Sequence, residues 1–191
     1  MKLYLVISLV AIISFGCASC INIKVTPWSQ GVSSGDTHYG NFNINYKSFD
    51  RLTVHGRLKA SNISVSKSAK VNGSAFVKDS SFSSLNVTGR AKLKNSSVEK
   101  DLFVCGFAEI KGGKYLSIIL KGKEFSLENI VAKSIKVLPN EPSGSKSQVL
   151  VLKNCKIEDI EFVSNNGEIK KDLTTNITGK ISGINVIKKK I

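Results

Sequence analysis

Val54-His55-Gly56, Val71-Asn72-Gly73, Val87-Thr88-Gly89 and Val104-Cys105-Gly106 are four copies of one phrase, their valines 17, 16 and 17 residues apart. A unit this short cannot bury a core of its own, so the copies must stack, which is the signature of a solenoid. Take each valine as position zero. Position four then reads Leu58, Ala75, Ala91, Ala108, and position six reads Ala60, Val77, Leu93, Ile110. Position eleven reads Val65, Phe82, Val98, Tyr115. Near position fifteen stand Ala69, Leu85, Leu102 and Ile119, if the second copy is one residue short. Even spacing with polar residues between is the period of one face of a strand. Position eight carries Asn62, Asp79, Asn95 and Gly112, residue types that tolerate positive φ, so this column predicts a corner. The glycine after each valine predicts a second corner or a close backbone approach.

The pattern weakens on both sides. Ile44, Phe49 and Leu52 predict one coil before the first phrase. Downstream, Leu152 to Ile157 and Phe162-Val163 echo Leu93 to Val98 and Phe103-Val104, and Ile177-Thr178-Gly179 and Ile181-Ser182-Gly183 read as closing versions of the phrase. Pro139 to Gln148 is a loop that interrupts the coils. The expected organisation is a leader at 1–20, a tether or N-terminal cap at 21–41, a β-solenoid at 42–186 with a loop insertion at 139–148, and a basic tail at 187–191. Six or seven coils at about 4.8 Å each make a rod roughly 30 Å long. An antiparallel sandwich would also alternate, but it gives no reason for like residues to recur in register every 16 to 17 positions. Helix is poorly supported, because β-branched residues, Ser, Asn and Gly dominate.

Met1-Lys2, the apolar run Leu3 to Phe15 and the small-residue end Gly16-Cys17-Ala18-Ser19-Cys20 read as an export signal, too short to span a bilayer. Cys17 and Cys20 are both lipidation candidates of the bacterial lipoprotein type. Ordinary cleavage after Gly16 or Ser19 fits as well. A lipid on either cysteine is the one expected route to a membrane. Residues 21–41 alternate at Ile21, Ile23 and Val25 before Pro27-Trp28 and a Gly/Ser stretch, and read as tether or cap.

Cys105 and Cys155 lie 50 residues apart, about three coils or roughly 14 Å, too far to bridge, so free thiols are expected. No Cys/His cluster has metal-ligand spacing and no cofactor motif is present. Catalysis is not expected: the two histidines, His38 and His55, are isolated, no Gly-x-Ser-x-Gly elbow occurs, and Gly31 to Gly35 lacks the Lys of a phosphate loop.

Lys and Arg number 28 against 14 Asp and Glu among 191 residues, a net charge of +14. Lys78, Lys94 and Lys111 share position seven of successive coils, and Lys59 and Lys92 share position five, where Phe76 and Glu109 interrupt them. Stacked cations of this kind hold a polyanion or simply keep a β-edge soluble. Aromatic residues are 7% of the chain, and no nucleic-acid motif is found.

The phrase in Val71-Asn72-Gly73-Ser74-Ala75-Phe76-Val77-Lys78-Asp79-Ser80 and Val87-Thr88-Gly89-Arg90-Ala91-Lys92-Leu93-Lys94-Asn95-Ser96 resembles the bactofilin-type polymer-forming β-helix. The chain is also similar to small exported repeat proteins of gammaproteobacterial type. The resemblance covers about Leu52 to Leu120 well and Leu152 to Gly183 weakly. It implies a single-stranded, right-handed, three-sided β-helix and a scaffold role through end-to-end stacking. Bactofilins are cytoplasmic, whereas this chain carries a leader, and no functional residue carries over. The expectation is therefore an all-β solenoid with coils of about 17 residues, exported to the periplasm, a lipid anchor or the cell surface. It would act as a non-enzymatic scaffold of the envelope that self-associates end to end. The alternative is a surface binding module or adhesin that holds lipopolysaccharide, DNA or glycan through Lys78, Lys94, Lys111, Lys59 and Lys92.

Overall fold

A computed structural model of the chain describes residues 35–140 and 147–189. The segment read as a leader, Cys17, Cys20, Trp28, the tip of the 139–148 loop and the last two residues lie outside them. The described residues form fifteen strands that pair only in parallel within one continuous sheet. The sheet winds into a β-solenoid of about nine turns without a helix, roughly 40 Å at one strand spacing per turn.

The columns read from the sequence are real registers. Val54, Val71, Val87 and Val104 pair in turn, and the column runs on through Leu120 and Val137 to Phe162. Position four extends from Phe42 through Leu58, Ala75, Ala91 and Ala108 to Phe125, Leu150 and Ile169. Position six continues to Leu127 and Leu152, and position eleven runs from Phe49 through Val65, Phe82, Val98 and Tyr115 to Ala132 and Ile157. These side chains are buried and make one core. Like residues stacked a strand spacing apart leave little room for water, so the hydrophobic term is collected along the whole rod.

Four readings are corrected. Position fifteen is filled by Ile118, not Ile119, because the coil after Tyr115 is one residue shorter than the one above it; Ile119 pairs with Phe103 and is only half-buried. Phe162, not Val163, continues the valine column, and Val163 is exposed. Ile177 and Ile181 pair with Ile157 and Ile160, so they end the columns at eleven and fifteen and do not repeat the Val-x-Gly phrase. The first strand, Asp36–Asn45, pairs in full register with the next, so coils begin inside the segment read as tether or cap.

The corner column is as expected and longer. Asn62, Asp79, Asn95 and Gly112 have φ of 54°, 49°, 48° and 71°, and Tyr46, Asn129 and Asn154 join them at similar values. Their side chains lace neighbouring corners: Asn95 Nδ2 donates to Asp79 Oδ1 at 3.2 Å and Asn154 Nδ2 to Asn129 Oδ1 at 2.7 Å. The glycines mark a close approach. A Cβ on Gly73 would be driven into the carbonyl oxygen of Gly56, and each phrase glycine has the same relation to the glycine one coil earlier.

The loop leaves the rod between Val131–Leu138 and Gln148–Lys153. Its base is tied by the buried Gln148, whose Nε2 donates to the carbonyls of Gly122 and Leu138, both at 2.8 Å, while Oε1 accepts from Ser164 Oγ at 2.9 Å. The strands on either side therefore keep register across the interruption.

Asp172 closes the corner beneath Asn154. It accepts from the Thr175 hydroxyl at 2.6 Å, Thr175 N–H at 2.9 Å, the Thr174 hydroxyl at 2.8 Å and Asn154 N–H at 3.0 Å. These donors, the Thr175 hydroxyl foremost, hold the carboxyl down at about 2. A carboxyl lowered by folding stabilises the protein above its unfolded pKa, and that contribution is lost as pH falls through the folded value. Thermal melts from pH 5 to 2 are expected to show stability draining between about pH 4 and 2. Asp172→Asn should melt lower at neutral pH and lose that part of the pH dependence. Parallel curves for the two proteins would show that Asp172 is not the group responsible.

Candidate functional site

After each phrase glycine, positions three, five and seven of the strand point away from the core and form one face of the rod. Lys78, Lys94 and Lys111 stand in register on consecutive coils, with Ser61 before them and Glu128 after. Lys59, Phe76, Lys92 and Glu109 make the adjacent column. All five lysines singled out in the sequence therefore lie on the same face.

The structure separates them by partner. Glu109 sits 2.6 Å from Lys92 Nζ and 3.7 Å from Lys111 Nζ; Lys111 also reaches Glu128 at 3.3 Å, and Lys78 reaches Asp79 at 3.2 Å. The Lys92 ammonium, hydrogen bonded to Glu109, holds that carboxyl below its usual range, and Glu128 raises the Lys111 ammonium. Exposed pairs of this kind contribute little to stability, but they set where uncompensated charge remains. Lys59 and Lys94 make no ion pair among the described residues.

Two cations on this face were not anticipated. Arg57 and Arg90 occupy position three of alternate coils, and each guanidinium lies over an aromatic ring one coil further on: Arg57 5.5 Å from the Phe76 centroid, Arg90 5.3 Å from that of Phe107. Identical residues two coils apart at one outward position were the available signal, masked by the unbroken lysine column beside them. Across the coils from Arg57 to Lys94 the face carries Arg57, Lys59, Lys78, Arg90, Lys92 and Lys94, with Asp79 at its edge and Glu109 at its lower end. Above it the first coil presents Asn41, Asn43 and Asn45, all exposed.

No protein-family model, curated protein or solved structure matches the chain.

The remaining groups do not converge on chemistry. Cys105 and Cys155 are both free thiols, the first half-exposed and the second buried with its Sγ–H directed at the carbonyls of Leu127 and Lys153. Burial pushes the Cys155 thiol up, away from a reactive thiolate. His55 is exposed, stacked on Tyr39 with ring centroids 5.0 Å apart and 3.1 Å from the Asn72 amide. No group of three His, Cys, Asp or Glu among the described residues is placed to hold a metal ion. A shallow groove of about 600 Å³ lies on another face, where Leu116 and Val131 are about half exposed beside Glu99, Lys114, Lys133 and Glu158.

Proposed function

We propose that the protein is a non-enzymatic structural element of a bacterial cell envelope, an exported β-solenoid that works by its shape and by end-to-end association. The observation that carries this reading is the last described coil. Among the described residues its strands, Asn176–Ile177, Ile181–Ser182 and Ile184–Lys189, each have a partner on one side only. The core columns reach it without closure: Ile177, Ile181 and Ile184 are partly buried, and Ile187, which continues the column of Ile169, is 43% exposed. An uncovered parallel edge with apolar side chains in column is a template for another strand. The bactofilin-like phrase and the leader support the same reading, with the rod in the periplasm or held to a membrane through a lipid on Cys17 or Cys20. Negative-stain electron microscopy of the purified chain at moderate salt tests it. Filaments that lengthen with protein concentration, and that are lost in Ile187→Lys, are expected. Discrete particles one rod long at every concentration would overturn it.

A second reading, a surface module holding an acidic polymer, is favoured by the six cations gathered between Arg57 and Lys94.

A further inference from the structure

We infer that the strip formed by Arg57, Lys59, Lys78, Arg90, Lys92 and Lys94 is a track for a linear acidic polysaccharide lying along the rod. The inference rests on the second reading above and names the polymer. Three features of the strip select it.

The first is period. Arg57 and Arg90 stand two coils apart, as do Lys59 and Lys92, so each pair of cations is roughly 10 Å apart along the axis. That matches an extended glycan with one acid group on every second sugar. The columns are in register, so a polymer parallel to the rod meets an Arg at position three and a Lys at position five twice.

The second is preorganisation. A free arginine must give up rotamer freedom on binding. Arg57 and Arg90 already lie over Phe76 and Phe107, which narrows their freedom while leaving the N–H fork at the strip's surface. A guanidinium matches a carboxylate or sulfate in two-pronged fashion and sheds water more readily than an ammonium.

The third is the company the cations keep. Asn41, Asn43 and Asn45 continue the three columns above, and Ser61 and Ser74 lie within them. Amides and hydroxyls beside cations suit a polymer that carries hydroxyls between its acid groups. A single-stranded nucleic acid needs open aromatic faces on which bases stack, and here the rings of Phe76 and Phe107 each have a guanidinium over them.

The test measures binding of the full-length chain to two fluorescently labelled polymers of matched total charge, hyaluronate (one carboxylate on every second sugar) and single-stranded polythymidylate, by anisotropy over a salt series. Tighter binding to hyaluronate is expected. Arg57→Gln/Arg90→Gln should weaken it about tenfold or more, from the loss of two charge-assisted contacts. Arg57→Lys/Arg90→Lys should weaken it too, although the charge is kept. Lys114→Gln/Lys133→Gln, on the groove face, should bind as the parent does. These side chains are exposed or at the surface, and matching melting temperatures exclude misfolding as the cause. Equal affinity for polythymidylate, or indifference to the Arg57/Arg90 variants, would overturn the glycan track while leaving a polyanion-binding surface. No binding to either polymer would overturn the second reading as well. Neither result bears on filament formation.

Discussion

Replacing Gly89 by alanine is expected to bring the coils around it close to unfolding. Gly89 has φ of 129°, a conformation reserved for glycine, and a Cβ there would be driven into the carbonyl oxygen of Gly73. That oxygen belongs to a backbone held by strand pairing, so it cannot swing aside as a flexible side chain would. Backbone strain and overpacking together are worth about 2–6 kcal/mol, a large part of the margin of an ordinary domain. Gly40 supplies the control. It also has positive φ, at 81°, but a Cβ there would meet no atom of the described residues within 4 Å, so Gly40→Ala should cost about 1–3 kcal/mol from strain alone. Urea unfolding followed by circular dichroism measures both. Equal losses would mean that the close approach between coils is not what excludes a side chain.

Phe162→Ala is expected to cost about 3–5 kcal/mol, the usual penalty for emptying a buried aromatic site. The side chain is 1% exposed, it continues the column below Val137, and its ring lies where a Cβ on Gly167 would fall. The distribution of the loss tells more than its size. In a stack where each coil touches only its neighbours, damage stays local. Amides in residues 148–189 should therefore exchange much faster with deuterium while those of Ser64–Lys78 and Ser97–Lys111 keep their protection. Uniform loss along the chain would show that the nine turns fold as one cooperative unit.

How far the fold was legible depended on how faithfully each coil repeats. Coils with Val-x-Gly and an Asn, Asp or Gly corner declared both their inward columns and their bend, because glycine at the close approach and a short polar residue at positive φ have few substitutes. The coil that follows declared neither. Leu120-Lys121-Gly122 keeps the glycine but replaces the valine, and one extra residue separates it from Phe125, whereas Tyr115 to Ile118 is one residue short. Two compensating changes of length leave the stacking intact and spoil the spacing, which is why counting phrases finds six or seven coils where about nine stand. Tyr46, a bulky residue at φ of 53°, hid the first corner in the same way. The face was legible where charge was unbroken, as at Lys78, Lys94 and Lys111. It was not where its character depends on neighbours across coils: Glu109 beside Lys92, and Arg57 and Arg90 over their rings.

The hydrogen bonds that join the coils run along the rod. Asn62 N–H donates to Lys78 C=O at 3.1 Å, Asp79 N–H to Lys94 C=O at 2.9 Å and Asn95 N–H to Lys111 C=O at 2.7 Å, each spanning one turn in the axial direction. Tension applied between the ends therefore loads the turns in series, and the bonds of a single turn bear the whole force before the next is touched. Sideways bending instead compresses one face while the buried columns resist it. A rod built this way is stiff against lateral load yet peels turn by turn when its ends are drawn apart, so an anchored copy under traction would pay out length in steps of one coil.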